Sequence, residues 1–515
     1  MSENENLSEL ERTREQYWRS YPGTSPIKLR WRALTVRHCF HVLPGESVLE
    51  IGAGTGLWTE HLTSVLRGQN PITAAIFNPD FASHPRWQSL ANVQPSLLRS
   101  LDDLPGASFD YIVGTAILCH NQYQHTLRSL YRLLKPGGKL LFFENNFWNP
   151  QVFLKNTIRP VGRWTGNARC QVGLRRYRLV QAASQAGFSH LDVVPYDIIH
   201  PLFPRSWVAT VQSLAFLFEH MPVVKELCGT LYIRAQRPGG GDQPRVQDLA
   251  TIPQFRKAVS FVVPCHNEEA NVRKLVGSLV GFYGSYIHEI IIVNDNSTDG
   301  TAEITREIAR NEPRVKLLNR TPPNGVGRAL RDGIAAASGP YIFTMDGDFV
   351  HLLPEFRDLF EAVAAGYDGA IGSRFTQESI MVNYPFFKIL CNRSFHLLAN
   401  LLLPFKIHDI SNNLKLFRAE ILKEMAIEQP HFAANAEIGL KPIAAGYRIR
   451  EVPISWINRT VDMGSSSFRI AKVAPNYFRA LMNVVRGSRE LAGRHAEARL
   501  ALAGMGVKSG DGHGR

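Results

Sequence analysis

The 515 residues contain six cysteines, Cys39, Cys119, Cys170, Cys228, Cys265 and Cys391, and no two of them stand at Cys-x-x-Cys spacing. Neither a zinc site nor a disulfide framework is expected from such a pattern, and a reducing compartment fits it. Long apolar runs are also missing. The most apolar stretches, Leu397–Phe405 and Val208–Phe218, are too short or too interrupted by polar residues to span a bilayer. Met1–Glu11 is acidic and polar, unlike a secretory leader. The expectation is a cytoplasmic chain that does not cross a membrane but can lie peripherally on its inner face. No aromatic–basic module is present, so no nucleic-acid partner is expected. Acids are absent between Glu144 and Asp192, where Lys155, Arg159, Arg163, Arg169, Arg175, Arg176 and Arg178 stand instead. That tract is either a solvated basic face or a surface for an anionic acceptor.

What is present describes a folded protein with more than one core. At roughly 100–200 residues per domain the chain is too long for one. Its 44% hydrophobic and 20% charged content excludes wholesale disorder and collagen-like repeats. The net charge of +13 favours anionic partners such as nucleotides, phosphates or an acidic membrane face. Arg237-Pro-Gly-Gly-Gly-Asp-Gln-Pro-Arg245 lacks apolar periodicity and reads as a linker. The expected division is a first domain at 30–236, a linker at 237–256, a second domain at 257–470, and a basic amphipathic helix with its tail at 471–515.

Both halves open with a strand, a turn rich in Gly or acid, then a helix, the βαβ signature of parallel sheets. In the first half the strand Ser47–Ile51 leads into Gly52-Ala-Gly54-Thr-Gly56 and the helical pattern Leu57–Leu66. Glycine lets the backbone approach a ligand closely, and the helix N-terminus offers free N–H groups. Ser108-Phe-Asp110-Tyr-Ile-Val and Leu134-Lys-Pro-Gly-Gly138 follow at later strands. Together these blocks resemble class I S-adenosylmethionine-dependent methyltransferases over about residues 30–236. The resemblance implies a seven-stranded sheet, with S-adenosylmethionine over Gly52, Gly54 and Gly56 and Glu50 at its methionine end. His120 matches a histidine common after the fourth strand. Two positions depart from the family. Ile76 stands where an acid usually meets the ribose, and Ser100 where an acid reads the adenine, with Asn78, Asp80 or Asp102 as substitutes.

The second half sets Ala258–Pro264 before Cys265-His-Asn-Glu268, then Glu289–Val293 before Asn294-Asp295. A third strand, Tyr341–Met345, delivers Asp346-Gly347-Asp348. Asp295 falls at a strand end where ribose or base can meet it. The kink allowed by Gly347 lets Asp346 and Asp348 share one hard cation, Mg²⁺ or Mn²⁺, that also bridges substrate phosphates. With Asn324–Gly333, these blocks resemble glycosyltransferase family 2 over about residues 255–470. Gly372-Ser-Arg374, Asp409–Arg418 and Gly446–Pro453 are most similar to the dolichyl- or polyprenyl-phosphate sugar synthases. The whole chain is then α/β, two doubly wound Rossmann-like domains, a methyltransferase fold followed by a GT-A fold.

The second resemblance implies that Pro264, Glu268, Asp295 and Asp346 frame a UDP- or GDP-sugar, and that Asp346 and Asp348 hold the metal. It further implies that Arg374, Lys415 and Arg418 meet phosphates, with Asp348, Asp409, Arg374 and Lys415 as the catalytic set. Gly464–Arg469 stands where such synthases carry a mobile loop. A lipid-phosphate acceptor is already anionic and needs no strong base. A hydroxyl acceptor would need one, with Asp409 or Glu437 as candidates. The apolar stripe of 468–491, flanked by Arg469, Lys472, Arg479 and Arg486, either lies in an anionic membrane interface or packs on the catalytic domain. The alternative to a lipid-directed bifunctional enzyme is a transferase with a soluble or polysaccharide acceptor, joined to a non-catalytic methyltransferase-like module.

Overall fold

The computed structural model describes residues 2–158, 170–199, 203, 204, 206–208, 215, 217–239, 246–376, 378–382, 384–457 and 473–487. The chain divides into two compact units, Met1–Gln243 and Pro244–Arg515. Arg159, Arg163, Arg169 and the Gly464–Arg469 segment lie outside the described residues.

In the first unit, α1 (Glu3–Ser20) and α2 (Ser25–Phe40) precede the sheet. Its strands are β1 (Val48–Ile51), β2 (Ile72–Ile76), β3 (Val93–Leu97), β4 (Phe109–Thr115), β5 (Leu134–Asn145), β6 (Ser189–Tyr196) and β7 (Thr230–Gln236). They are ordered β3-β2-β1-β4-β5-β7-β6. β1 runs parallel to both β2 and β4, and β7 runs antiparallel to β5 and β6. All four residues of β1 are buried, as an apolar central strand must be. Leu49, Ile51, Ile112, Leu140 and Phe142 build the core beneath it. The chain order reverses between β1 and β4, which opens a crevice at their C-terminal ends. Gly52–Gly56 crosses that crevice and enters α3 (Leu57–Val65).

In the second unit the strands are β8 (Val259–Cys265), β9 (Ile287–Asn294), β10 (Val315–Asn319), β11 (Tyr341–Thr344), β12 (Gly369–Ser373), β13 (Ile380–Val382), β14 (Lys415–Arg418), β15 (Ile449–Pro453) and β16 (Ser455–Ile457). Seven form a sheet in the order β10-β9-β8-β11-β14-β12-β15, and β13 pairs with β16 apart from it. β14 is antiparallel to β11 and β12, while the other pairings in that sheet are parallel. The fold is therefore two mixed α/β sheets of seven strands each. In the second, the reversal lies between β8 and β11, so Pro264 and the Asp346–Asp348 turn come to one edge. Asp299 seats the neighbouring helices. Its Oδ1 accepts from the Thr301 N–H at 3.0 Å and its Oδ2 from the Glu269 N–H at 3.1 Å.

Candidate active site

A cleft of about 1270 Å³ opens over the β8/β11 edge of the second unit. Pro264, Glu268, Asp295, Asp346, Asp348 and Arg374 all line it, although they come from four separate segments of the chain. Glu268 ends the strand–turn and accepts from the Asn271 side chain at 2.6 Å, while its own N–H donates to Thr301 Oγ1 at 2.9 Å. Asp346 accepts from Asn413 Nδ2 at 2.8 Å. No group of three His, Cys, Asp or Glu side chains able to hold a metal occurs among the described residues. The two carboxylates of Asp346 and Asp348, both at the cleft, still fit a hard cation, which needs only one or two carboxylates when diphosphate oxygens and water complete its shell.

Asp295 reaches the cleft with its carboxylate engaged. Oδ2 accepts from the Gly325 N–H at 2.6 Å, and Oδ1 pairs with Arg320, which also binds Asp332 at 2.6 Å. Its evident work is to fix the 324–326 turn against the end of β9. His266 Nδ1 lies 2.9 Å from the Asp295 carbonyl and supports the same corner.

Arg374 and Asp409 form a buried pair. Arg374 Nε and Nη2 donate to Asp409 at 2.6 and 3.0 Å, Nη2 also to Ser411 Oγ at 2.7 Å, and Nη1 to Tyr384 Oη at 3.2 Å. The guanidinium lies 5.1 Å from the Trp456 ring. Burial by itself would raise the Asp409 carboxyl, but the guanidinium overrides it and holds the carboxyl far below the usual range. Asp409 is fully buried behind Arg374, so it positions the cation instead of standing free in the site.

Lys415 is likewise fully buried; β14 sets it beside Thr344, and its ammonium donates to the Asn412 carbonyl. Burial pushes this ammonium down to about 7, with Asp409 and Asp346 pulling the other way. Arg418 departs from the sequence expectation. The antiparallel course of β14 puts it beside Tyr341, at the opposite end of β11 from Asp346, where it pairs with Asp368 at 3.9 Å. Glu437 departs too. It is buried, accepts from the Glu428 and Gln429 N–H groups at 3.0 and 2.9 Å, and pairs with Lys441 at 2.6 Å.

Sequence reasoning missed the far wall of the cleft. Tyr384, Lys388, Phe395, Trp456, Tyr477 and Phe478 line it beyond Arg374. Helix Phe386–Leu402 forms its rim and leaves Phe387, Leu390, Leu397 and Leu401 exposed by 71, 41, 63 and 74%. These positions recur at helical spacing, a signal present in the sequence. The 473–487 helix behaves differently: Tyr477, Leu481 and Val484 are buried in the core, and Phe478 is half-exposed. The described part of its stripe joins the buried core of the second unit. No helix among the described residues is long and apolar enough to cross a membrane.

In the first unit, Glu50 is buried beneath the Gly-rich turn, and burial pushes its carboxyl up to about 7. His120 is buried, and its ring accepts from the Gln122 N–H at 3.2 Å. Asp102 sits at the surface and binds Arg132 at 3.1 Å. Asn78 caps its own turn, accepting from the Asp80 N–H at 3.0 Å. Arg86 donates to the Thr55 carbonyl at 3.0 Å, and the other side chains that engage the Gly-rich turn come from α1. Glu11 Oε1 accepts from the Gly54 N–H at 2.8 Å, and its Oε2 from the Phe77 and Asn78 N–H groups at 3.0 and 2.7 Å. Arg14 donates to the Thr115 carbonyl at 2.9 Å and to the Gly52 carbonyl. Glu15 binds the Thr55 hydroxyl. With the turn so engaged, its backbone donors and acceptors are taken by α1, and S-adenosylmethionine over this turn would need them released.

Each unit is an α/β sheet with polar groups gathered at a reversal of strand order, the layout of doubly wound domains. Residues 260–426 match the model of glycosyl transferase family 2, and residues 28–191 that of a methyltransferase domain. The chain thus carries a family 2 glycosyl transferase domain and a methyltransferase domain. It is 29% identical over 262 residues to the polyprenol monophosphomannose synthase of Mycolicibacterium smegmatis, covering 48% of this chain and 98% of that protein. It is 28% identical over 255 residues to the dolichol-phosphate mannosyltransferase of Pyrococcus furiosus, covering 49% and 70%. Among solved structures, glucosyl-3-phosphoglycerate synthase from Mycobacterium tuberculosis aligns with a TM-score of 0.36 at 19% identity, over 44% of this chain and 79% of that one. A SAM-dependent methyltransferase from Thermotoga maritima aligns with a TM-score of 0.31 at 18% identity, over 45% and 99%.

Proposed function

We propose that the second unit transfers a sugar from a UDP- or GDP-sugar to a polyprenyl-type lipid phosphate, with inversion at the sugar carbon. The observation that carries this reading is the continuity of one cleft. It runs from the Asp346 and Asp348 carboxylates, past Arg374, to an aromatic wall whose outer helix leaves Phe387, Leu397 and Leu401 exposed. A nucleoside diphosphate suits the first end, an anionic head the middle, and an isoprenoid chain the last.

Asp346 and Asp348 would hold Mg²⁺ or Mn²⁺, which supplies positive charge against the departing diphosphate. Arg374, fixed by Asp409, Ser411 and Tyr384, presents a cation whose direction is set before the acceptor arrives. The acceptor phosphate is already anionic, so attack needs no proton removed. The two carboxylates considered as bases agree with this: Asp409 is committed to Arg374 and Glu437 to Lys441. The names of the Mycolicibacterium and Pyrococcus relatives support the same acceptor class.

The test is nucleoside-diphosphate release from a panel of UDP- and GDP-sugars with Mg²⁺ or Mn²⁺, with and without polyprenyl phosphate. Release should depend on the lipid and vanish in Asp348→Asn. Metal-dependent release indifferent to the lipid would transfer the assignment to a soluble acceptor.

A further inference from the structure

The crevice between β1 and β4 is the place in the first unit where a ligand would lie, and helix α1 already lies there. Its side chains do not merely border the Gly-rich turn. Glu11, with no exposure to solvent, takes three backbone N–H groups, from Gly54, Phe77 and Asn78. These come from the ends of β1 and β2. Arg14 takes the carbonyls of Gly52 and Thr115, at the ends of β1 and β4. Glycine at position 54 leaves room for close approach, and Glu15 uses it: a Cβ there would lie 2.6 Å from Glu15 Oε2. A carboxylate and a guanidinium thus hold the donors and acceptors that a zwitterionic nucleoside ligand would need.

We propose that α1 is an intramolecular occupant of the first unit's ligand cleft, and that the cleft takes up S-adenosylmethionine only when α1 withdraws. Other features of α1 suit a part that leaves. Four of its seven buried residues, Asn6, Glu11, Arg14 and Glu15, are polar or charged, and only Leu7, Leu10 and Trp18 are apolar. Such a face gains less from the hydrophobic effect than an apolar one, and its charges carry a desolvation cost that their hydrogen bonds must offset. The helix does not depend on the cleft for its own start, because Ser2 and Glu5 form a capping box. Its first turn rests on the rim, with Glu3 2.7 Å from His125 and Asn6 3.0 Å from Gln122. The turn 21–24 then joins it to α2.

An occupied cleft lowers apparent affinity by the fraction of molecules in which it is open. Binding of S-adenosylmethionine and S-adenosylhomocysteine to the full chain is therefore measured by equilibrium dialysis. The natural sequence should show little or no saturable binding, and Glu11→Ala/Arg14→Ala should bind tighter by about tenfold or more. A synthetic peptide of residues 2–21 should compete with the nucleoside in that variant. Saturable micromolar binding by the natural chain would overturn the proposal. So would a variant that keeps its circular dichroism and thermal transition yet gains no binding. Should the variant fail to fold, hydrogen exchange on the natural chain decides. Millimolar S-adenosylhomocysteine should speed exchange of the α1 amides, whereas slower or unchanged exchange would show that α1 is a lid over the ligand or a permanent wall.

Discussion

Arg374 and Asp409 meet through two parallel hydrogen bonds, 2.6 and 3.0 Å long, and neither side chain is more than 8% exposed. A pair so enclosed cannot lose one member cheaply, because the other is left charged without water. Arg374→Ala should therefore cost about 3–5 kcal/mol of unfolding free energy in urea titrations. Arg374→Lys should fall between, since lysine keeps the charge but not the fork. Asp409 has its folded pKa below the unfolded one. The pair's contribution is complete above the ordinary carboxylate range and is lost as pH falls beneath it.

Lys415 has the opposite sign of dependence. Its folded pKa falls to about 7 from an ordinary 10.5, so between those values the unfolded chain binds more protons than the folded one. Stability contributed through this group should rise with pH across that window. Urea midpoints measured against pH should show a slope that Lys415→Met flattens. An unaltered slope would mean that Lys415 keeps its proton through contacts other than those seen here.

Phe387 and Leu401 are 71 and 74% exposed on one face of helix Phe386–Leu402. If that face meets lipid, Phe387→Asp/Leu401→Asp should weaken sedimentation with anionic vesicles by about tenfold or more, since each side chain buries about 1.5–3 kcal/mol of apolar surface. The thermal transition should not move, because neither residue is in the core.

Gly327, in the first turn of the helix Val326–Ala336, packs against the 429–430 backbone, where an added Cβ would strike the Gln429 carbonyl and lie 2.7 Å from Ala434. Gly327→Ala should cost about 1–3 kcal/mol. It should also raise the KM for the nucleotide-sugar, because Asn324–Val326 line the cleft.

The sequence by itself determined the parts of the protein that depend on near neighbours along the chain. Apolar runs such as Val259–Val263 and Glu289–Val293 had to become central strands, because only a sheet interior buries them on both faces. Gly52–Gly56 and Asp346–Asp348 had to be turns at strand ends, because glycine there lets the backbone bend. The tertiary structure alone decided which side chains those turns meet. Glu11 and Gly54 are 43 positions apart, and Arg374 and Asp409 are 35. No periodicity announces such a contact. The antiparallel insertion of β14 likewise carried Arg418 away from the cleft and sank Lys415 beneath it, an outcome set by strand direction, which short motifs do not encode. The apolar face of 386–402 was visible as spacing. Its exposure followed only once the core had been filled by other residues, including Tyr477, Leu481 and Val484, leaving that face exposed among the described residues.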